Sequence, residues 1–264
     1  MVKNPSPFKG DGFAHIPVPC GKCYDCKMRT ASQWALRLRK EEDISISSHF
    51  VTLTYDTEYV PISSKGYMTL RLADVQKYFK RIRKNLDPAT RIRYFVCGEY
   101  GTQRDRPHYH LILFNCPVEY ITSCWNLGNV HIGNVSGQSI AYTLKYMMKE
   151  GKIPKHKNDD RKPEFRTMSK GLGQNYLTPA MVEFHKTHID RLFATIEGGI
   201  RVPLPRYYRE RIWNESERQE QNLILQLKLK EHQNNDKQTI EERQRGAEVR
   251  NKRAFKNARN RGVD

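Results

Sequence analysis

The chain has 264 residues, with 46 Lys+Arg against 29 Asp+Glu and a formal net charge of +17 at pH 7. That length can bury a sizeable core in one main domain with appendages, and the positive surplus calls for a polyanionic partner. Nucleic acid is favoured over an anionic membrane, because no amphipathic anchor or lipidation signal is evident. No run approaches the roughly 18 apolar residues that span a bilayer, and MVKNPSPFKGDGF has no export-type apolar core. The expectation is a cytosolic protein whose six cysteines are reduced thiols or metal ligands.

In chain order, a Pro/Gly-rich start leads into PCGKCYDCKMRTASQWALRLRKEE, which turns into a basic amphipathic helix; residues 1–45 form a cysteine-bearing segment that packs on the core. HFVTLTYD alternates as a strand should. LADVQKYFKRIRKNL spaces Leu72, Val75, Phe79, Ile82 and Leu86 by threes and fours, predicting a helix with a basic outer face. RIRYFVCGEY and HYHLILFN, separated by GTQRDRP, predict a hairpin of adjacent antiparallel strands. A short helix at VEYITSCW, a strand at NVHIGNV and a helix at SIAYTLKYMMKE complete a core over 46–151. Antiparallel neighbours with helices between them imply an α+β fold: a central antiparallel sheet flanked by helices, on the ferredoxin or RNA-recognition plan.

The polar, proline-bounded GKIPKHKNDDRKP marks an edge or a long loop. Residues 152–213 then carry a helix at LTPAMVEFHKTH and a basic aromatic segment, GIRVPLPRYYRERIW. Residues 214–264 are low in aromatics and rich in Gln, Glu, Lys and Arg, as a solvated helix fraying into disorder would be.

His108 and His110 leave one face of an extended strand while Tyr109 points the other way. Glu99, on the predicted neighbouring strand, adds a carboxylate, with Gln103 and Asp105 as alternative third donors. Two imidazoles and one carboxylate filling part of an octahedral shell suit Mg²⁺ or Mn²⁺ in a Lewis-acid role, leaving positions for substrate oxygens. Taken alone, the H-x-H spacing is also that of ordinary half-buried strand histidines.

Tyr142 and Tyr146 lie one helical turn apart, with Cβ atoms about 6 Å from each other. Lys149 shares their face and can pair with a phosphate or steady a phenolate, since tyrosine is a poor nucleophile unaided. The plainer alternative is that both tyrosines flank a core stripe of Ile140, Leu144, Met147 and Met148.

Cys20, Cys23 and Cys26, a C-x2-C-x2-C run, have a spacing that suits a structural Zn²⁺, with His15 and Cys124 as candidates for a fourth ligand. The alternative is a set of thiols capping the helix start and packing beneath Trp34. Cys97 reads as core; His49, His131, His185 and His188 read as structural or surface. Basic side chains interleaved with aromatics point to single-stranded nucleic acid, with Arg37, Arg39, Lys80, Arg83, Lys145, Arg206 and Arg209 as the DNA-binding candidates.

In this order, PCGKCYDCKMRTASQWALRL, FVTLTYD, GEYG, RPHYHLILF, AYTLKYMMKE, MSKGLGQNYL and LPRYYRER resemble the replication initiation proteins of gokushovirus-type Microviridae phages, within the HUH endonuclease superfamily. The resemblance implies an HUH endonuclease core and a nicking and joining enzyme for rolling-circle replication. His108 and His110 match its metal histidines, and Tyr142 and Tyr146 match a Y-x3-Y active site. It implies a covalent 5′-phosphotyrosine intermediate, single-stranded or extruded origin DNA as substrate, host replication helicase and DNA polymerase as partners, no membrane, and work in the cytoplasm of the bacterial host. A relaxase or single-strand transposase would share this logic. From another class, the rival is a noncatalytic single-stranded nucleic-acid-binding protein of RNA-recognition type.

Overall fold

The computed structural model describes residues 20–101, 104–148 and 153–235, with residues 242, 245, 246, 248 and 249; for residues 145–148, 197 and 228–235 it describes the backbone alone. The chain divides into two compact units, one of residues 34–178 and one made of the segment up to Gln33 and the segment from Pro179. The boundary falls inside the first helix, α1 (Tyr24–Glu42).

The unit of residues 34–178 is built on a five-stranded antiparallel sheet. Strand β1 (Ser48–Thr54) leads to helix α2 (Leu72–Asn85), the hairpin β2 (Arg93–Tyr100) and β3 (Pro107–Phe114), helix α3 (Val118–Ser123), β4 (Val130–Asn134), helix α4 (Gly137–Met148) and β5 (Phe165–Met168). The spatial order is β4-β1-β3-β2-β5. The predicted strand-helix-hairpin-helix-strand succession therefore closes into the expected α+β plan, and β5 adds an edge strand beside β2. This short strand lies beyond the polar segment where the composition suggested an edge or a loop.

Period-2 alternation divides the strand residues between two faces. One carries Val51, Leu53, Val96, Tyr109, Leu111 and Leu113, which pack with Val75, Tyr78, Phe79 and Ile82 of α2 and Ile121 of α3 into the main core. Within α2 the buried stripe is Asp74, Val75, Tyr78, Phe79 and Ile82; Leu72, expected inside, is 40% exposed. The difference has a polar cause. Tyr55 donates to Asp74 Oδ2 at 2.9 Å and lies 2.8 Å from the Tyr109 hydroxyl, so a hydrogen-bonded chain draws Asp74 inward.

The other face carries His108, His110 and Glu99, together with Phe95, Ile112 and Phe114, which are fully buried. Trp34 packs its ring 5.0 Å from that of Phe95, and α4 lies against β2 and β3. An RNA-recognition sheet displays strand aromatics for base stacking; here those aromatics are covered, and only the end bearing the histidines stays accessible, with the His108 side chain 18% exposed.

Helix α4 begins with a reciprocal serine cap: Ser136 Oγ accepts from the Ser139 backbone N–H at 3.1 Å, and Ser139 Oγ accepts from that of Ser136 at 2.7 Å. This fixes which helix face meets the sheet. Ile140 and Leu144 are buried there, whereas Tyr142 is 45% exposed.

The loop of residues 153–164 is tied down by charge. Arg161, only 8% exposed, donates to Asp159 through Nε and Nη2 and to Asp105 through Nη1, and Lys155 also pairs with Asp105. Arg161 holds the Asp159 carboxyl far below the ordinary carboxylate range.

In the second unit, α5 (Pro179–Lys186), a two-stranded sheet of β6 (Phe193–Thr195) and β7 (Arg201–Pro203), α6 (Arg206–Ile212) and α7 (Glu215–Asn235) follow one another. The predicted tail is helical at its start. Most of the basic run between Arg243 and Arg261 lies outside the described residues.

Candidate metal centre and tyrosine site

The hairpin register sets Glu99 directly opposite His108 and Cys97 opposite His110. Glu99 Oε1 lies 2.6 Å from His108 Nε2 and 3.3 Å from His110 Nε2, and one donor atom from each residue falls within 4.8 Å of the others. Glu99 and His110 are each 4% exposed. A carboxylate held that deep needs a cation or protons beside it.

Two further groups aim the imidazoles. His108 Nδ1 donates to the Arg106 carbonyl at 3.1 Å, and His110 Nδ1 lies 3.1 Å from Thr52 Oγ1, its register partner on β1. With Nδ1 engaged outward, each Nε2 lone pair can turn toward Glu99, the arrangement that holds metal-binding histidines in one tautomer. Thr52 carries no signal of its own in the sequence; only the strand pairing brings it to His110. The donor set therefore fits a divalent cation with positions left for substrate oxygens.

The alternative third donors fare differently. Asp105 is engaged by Lys155 and Arg161, which hold its carboxyl below the ordinary value against the opposing effect of burial. Gln103 lies outside the described residues.

The Tyr142 ring packs edge-on against His110, with centroids 5.6 Å apart, and against Phe50 at 5.8 Å. It is thus a neighbour of the metal donors and no part of the buried Ile140/Leu144 stripe. The side chains of Lys145 and Tyr146, and Lys149 altogether, lie outside the described residues.

Cys20, Cys23 and Cys26 also converge, their sulfurs within 4.8 Å of one another. The Cys23 backbone N–H donates to Cys20 Sγ at 3.2 Å. This bond, with one from the backbone of Lys22, lowers the Cys20 thiol to a pKa of about 6. Such a thiolate both caps a turn and serves as a metal donor. Cys124 is buried in the sheet unit's core, where Asn85 Nδ2 donates to its sulfur, and has no part in this cluster; His15 lies outside the described residues. Cys97 is core as expected, its thiol pushed up to about 12 by burial.

The basic candidates separate on inspection. Arg37 is 9% exposed, donates through Nε to the Leu172 carbonyl and sits 4.1 Å over the Trp34 ring, so it stabilises the interior and is withdrawn as a DNA contact. Arg39, Lys80 and Arg83 are exposed, Arg39 beside Glu42. In the second unit Arg206 is exposed and paired with Glu210, while Arg209 is half-buried with its Nε lacking a hydrogen-bond partner among the described residues. Tyr208 of the RYYRER run is fully buried, so it is not a stacking platform. Of the four unassigned histidines, His185 is buried against the Arg191 carbonyl, His131 and His188 are exposed, and His49 is half-buried.

Residues 48–151, the span holding every donor of this centre, match the family of the replication-associated protein ORF2. The chain is 29% identical to replication-associated protein ORF2 of Spiroplasma virus 4 over 219 residues, covering 75% of this chain and 68% of that protein. It is 25% identical to replication-associated protein VP4 of Bdellovibrio phage phiMH2K, covering 83% and 74% respectively. This chain is a relative of phage replication-associated proteins. Replication-associated protein ORF4 of Chlamydia phage 1 is similar too, at 24% identity over 78% of this chain and 57% of that protein. No solved structure matches at comparable significance. The relationship bears out the expected resemblance to phage Rep proteins of microvirus type and supports a role in phage genome replication. Among the described residues no helix is long and apolar enough to cross a membrane.

Proposed function

We propose that the protein is an HUH-type endonuclease that nicks and rejoins DNA, starting and ending rolling-circle replication of a single-stranded DNA phage genome. The observation that carries this reading is the convergence of Glu99 with His108 and His110 beside the ring of Tyr142. Glu99, His108 and His110 hold Mg²⁺ or Mn²⁺. When bound, that cation polarises the scissile phosphate and offsets charge on the departing 3′ oxygen.

The chain's own residues do the rest. Thr52 and the Arg106 carbonyl keep both imidazoles aimed inward. A tyrosine of the Tyr142/Tyr146 pair loses its phenolic proton and attacks phosphorus; the P–O3′ bond breaks, a 5′-phosphotyrosine forms, and the 3′ oxygen takes up a proton. Lys149, on the same helical face by spacing, steadies the phenolate. The free 3′-OH primes the host DNA polymerase, with a host helicase opening the duplex. When the origin is regenerated, the second tyrosine cleaves it and the released 3′-OH resolves the first link into a circle. Each transfer exchanges one phosphoester for another, so joining needs no ATP. The substrate is single-stranded or extruded origin DNA, met in the cytoplasm of the bacterial host, and Cys20, Cys23 and Cys26 hold a structural Zn²⁺.

Incubation with labelled origin DNA and Mn²⁺ should give a protein-DNA adduct that survives denaturation, and EDTA or His108→Ala should abolish it. Binding without any adduct, for every strand of the cognate genome, would overturn the enzymatic reading and leave a noncatalytic binder.

A further inference from the structure

We infer that a cationic cleft at the opposite end of β2 from Glu99 holds a second stretch of the single-stranded DNA, a few nucleotides from the phosphate at the metal centre. The inference rests on the strand-transfer reading above and adds a second anchoring point for its substrate.

The cleft encloses about 500 Å3 between the C-terminal end of α2, the start of β2 and the end of β5. Its lining includes Arg83, Arg91, Arg93 and Lys170 against one carboxylate, Asp87. Arg93 is neutralised by the buried Glu41, at 2.7 Å. Arg83, Arg91 and Lys170 have no ion-pair partner among the described residues, and all three are exposed. Asp87 accepts from the Ala89 backbone N–H. The cleft thus carries about three uncompensated positive charges at its rim, which favours phosphate.

An aromatic surface lies beside that charge. Tyr94 stacks on Phe79 with centroids 3.9 Å apart and an interplanar angle of 14°, and the Arg83 guanidinium lies 6.0 Å from the Tyr94 ring. Half-buried Tyr94 lines the cleft, so a ring and a guanidinium plane stand within reach of the same ligand as the cations. Phosphate-binding charge interleaved with a stacking surface is the pairing that unstacked single strands need. The volume falls in the range of small-ligand pockets, roughly 300–1,000 Å3, which admits a nucleotide and not a duplex.

Edge strand β5 connects the two places. Arg166, exposed, is the register partner of Cys97, two residues from Glu99, and Lys170 follows four residues later. At a strand rise of ~3.3 Å per residue that step is about 13 Å. A strand leaving the metal centre over the β5 edge therefore meets Arg166 and then the cleft.

The test uses the full chain and fluorescence anisotropy across a salt series. One labelled single strand is confined to the nucleotides around the cleavage site, and one extends to either side. With Arg83→Ala, Arg91→Ala and Lys170→Ala combined, the slope of log affinity against log salt for the longer strand should fall by about 2, from ~0.7 per lost phosphate contact. The wild-type preference for the longer strand should vanish with it. An unchanged slope and preference would overturn the proposal, as would an equal loss on duplex DNA of the same length. Lys170→Glu alone, at an exposed position, carries the same test should the triple variant fail to fold. Adduct formation by the wild type is scored separately: an adduct with no slope change sinks the cleft alone, and a slope change without an adduct sinks only the nicking reading.

Discussion

Glu99 and His108 are direct register partners across the β2–β3 hairpin, and their Oε1 and Nε2 atoms lie 2.6 Å apart. Strand pairing thus builds the site before any ion arrives. A divalent cation replaces the hydrogen otherwise held between these atoms and binds the folded protein only. At 100-fold excess over its Kd, Mn²⁺ should stabilise the fold by about 2.7 kcal/mol. Glu99→Gln and His110→Ala should each remove that gain, read as the loss of a Mn²⁺-dependent rise in Tm. A rise that survives both substitutions would place the ion elsewhere.

Tyr142 packs edge-on against a metal donor, so Tyr142→Phe keeps the ring contact and removes only the hydroxyl. Melting should shift by less than about 1 kcal/mol, as expected for a half-exposed hydroxyl. Tyr142→Phe and Tyr146→Phe should fail at different steps, one in forming the adduct and the other in resolving it, and the double variant should cleave nothing. Cleavage by the double variant would remove both tyrosines from the nucleophile role.

The sheet was legible because its strands alternate and its hairpin is bounded by a polar turn; the same alternation put His108, His110 and Glu99 on one face. The residues that orient them were not. Thr52 reaches His110 through pairing between strands far apart in sequence, and the Arg106 carbonyl has no side-chain signature. β5 is four residues long, too short for a period to declare itself. Arg37 was misread because a basic residue on a basic helix face looks solvated until Trp34 and the Leu172 carbonyl are seen to enclose it. Asp105, an apparent ligand by position, is bound by a loop that composition alone leaves without structure.

Tyr109, between the two histidines, is the reverse side of the same strand. Arg71 N–H donates to its hydroxyl at 3.0 Å, and the chain continues through Tyr55 to Asp74. Burial raises the Tyr109 hydroxyl to about 12 and Tyr55 well above the ordinary tyrosine range. A folded-state pKa above the unfolded value near 10 means that this contribution is fully present below pH 10 and is lost as pH climbs through 12. Stability should therefore fall steeply between pH 10 and 12. Tyr109→Phe should cost roughly 1–3 kcal/mol at neutral pH, since it strands the Arg71 N–H, and should flatten the alkaline limb. Tyrosine ionisation followed by absorbance tests this: two hydroxyls titrating near pH 10 in the folded protein at these positions would contradict it.

The cysteine cluster makes the most easily measured claim. Three sulfurs within 4.8 Å, with Cys20 as a ready thiolate, should take one zinc per chain when the protein is purified without chelator. Cobalt substituted for that zinc should give the intense visible absorption of tetrahedral thiolate coordination. Cys20→Ser, Cys23→Ser and Cys26→Ser should each lower zinc content and thermal stability together, whereas Cys97→Ser should leave zinc content unchanged because its thiol is buried in the sheet. Full-length protein that carries no zinc, with all three cysteines alkylated at equal rates whether or not zinc is added, would restrict them to capping the start of α1.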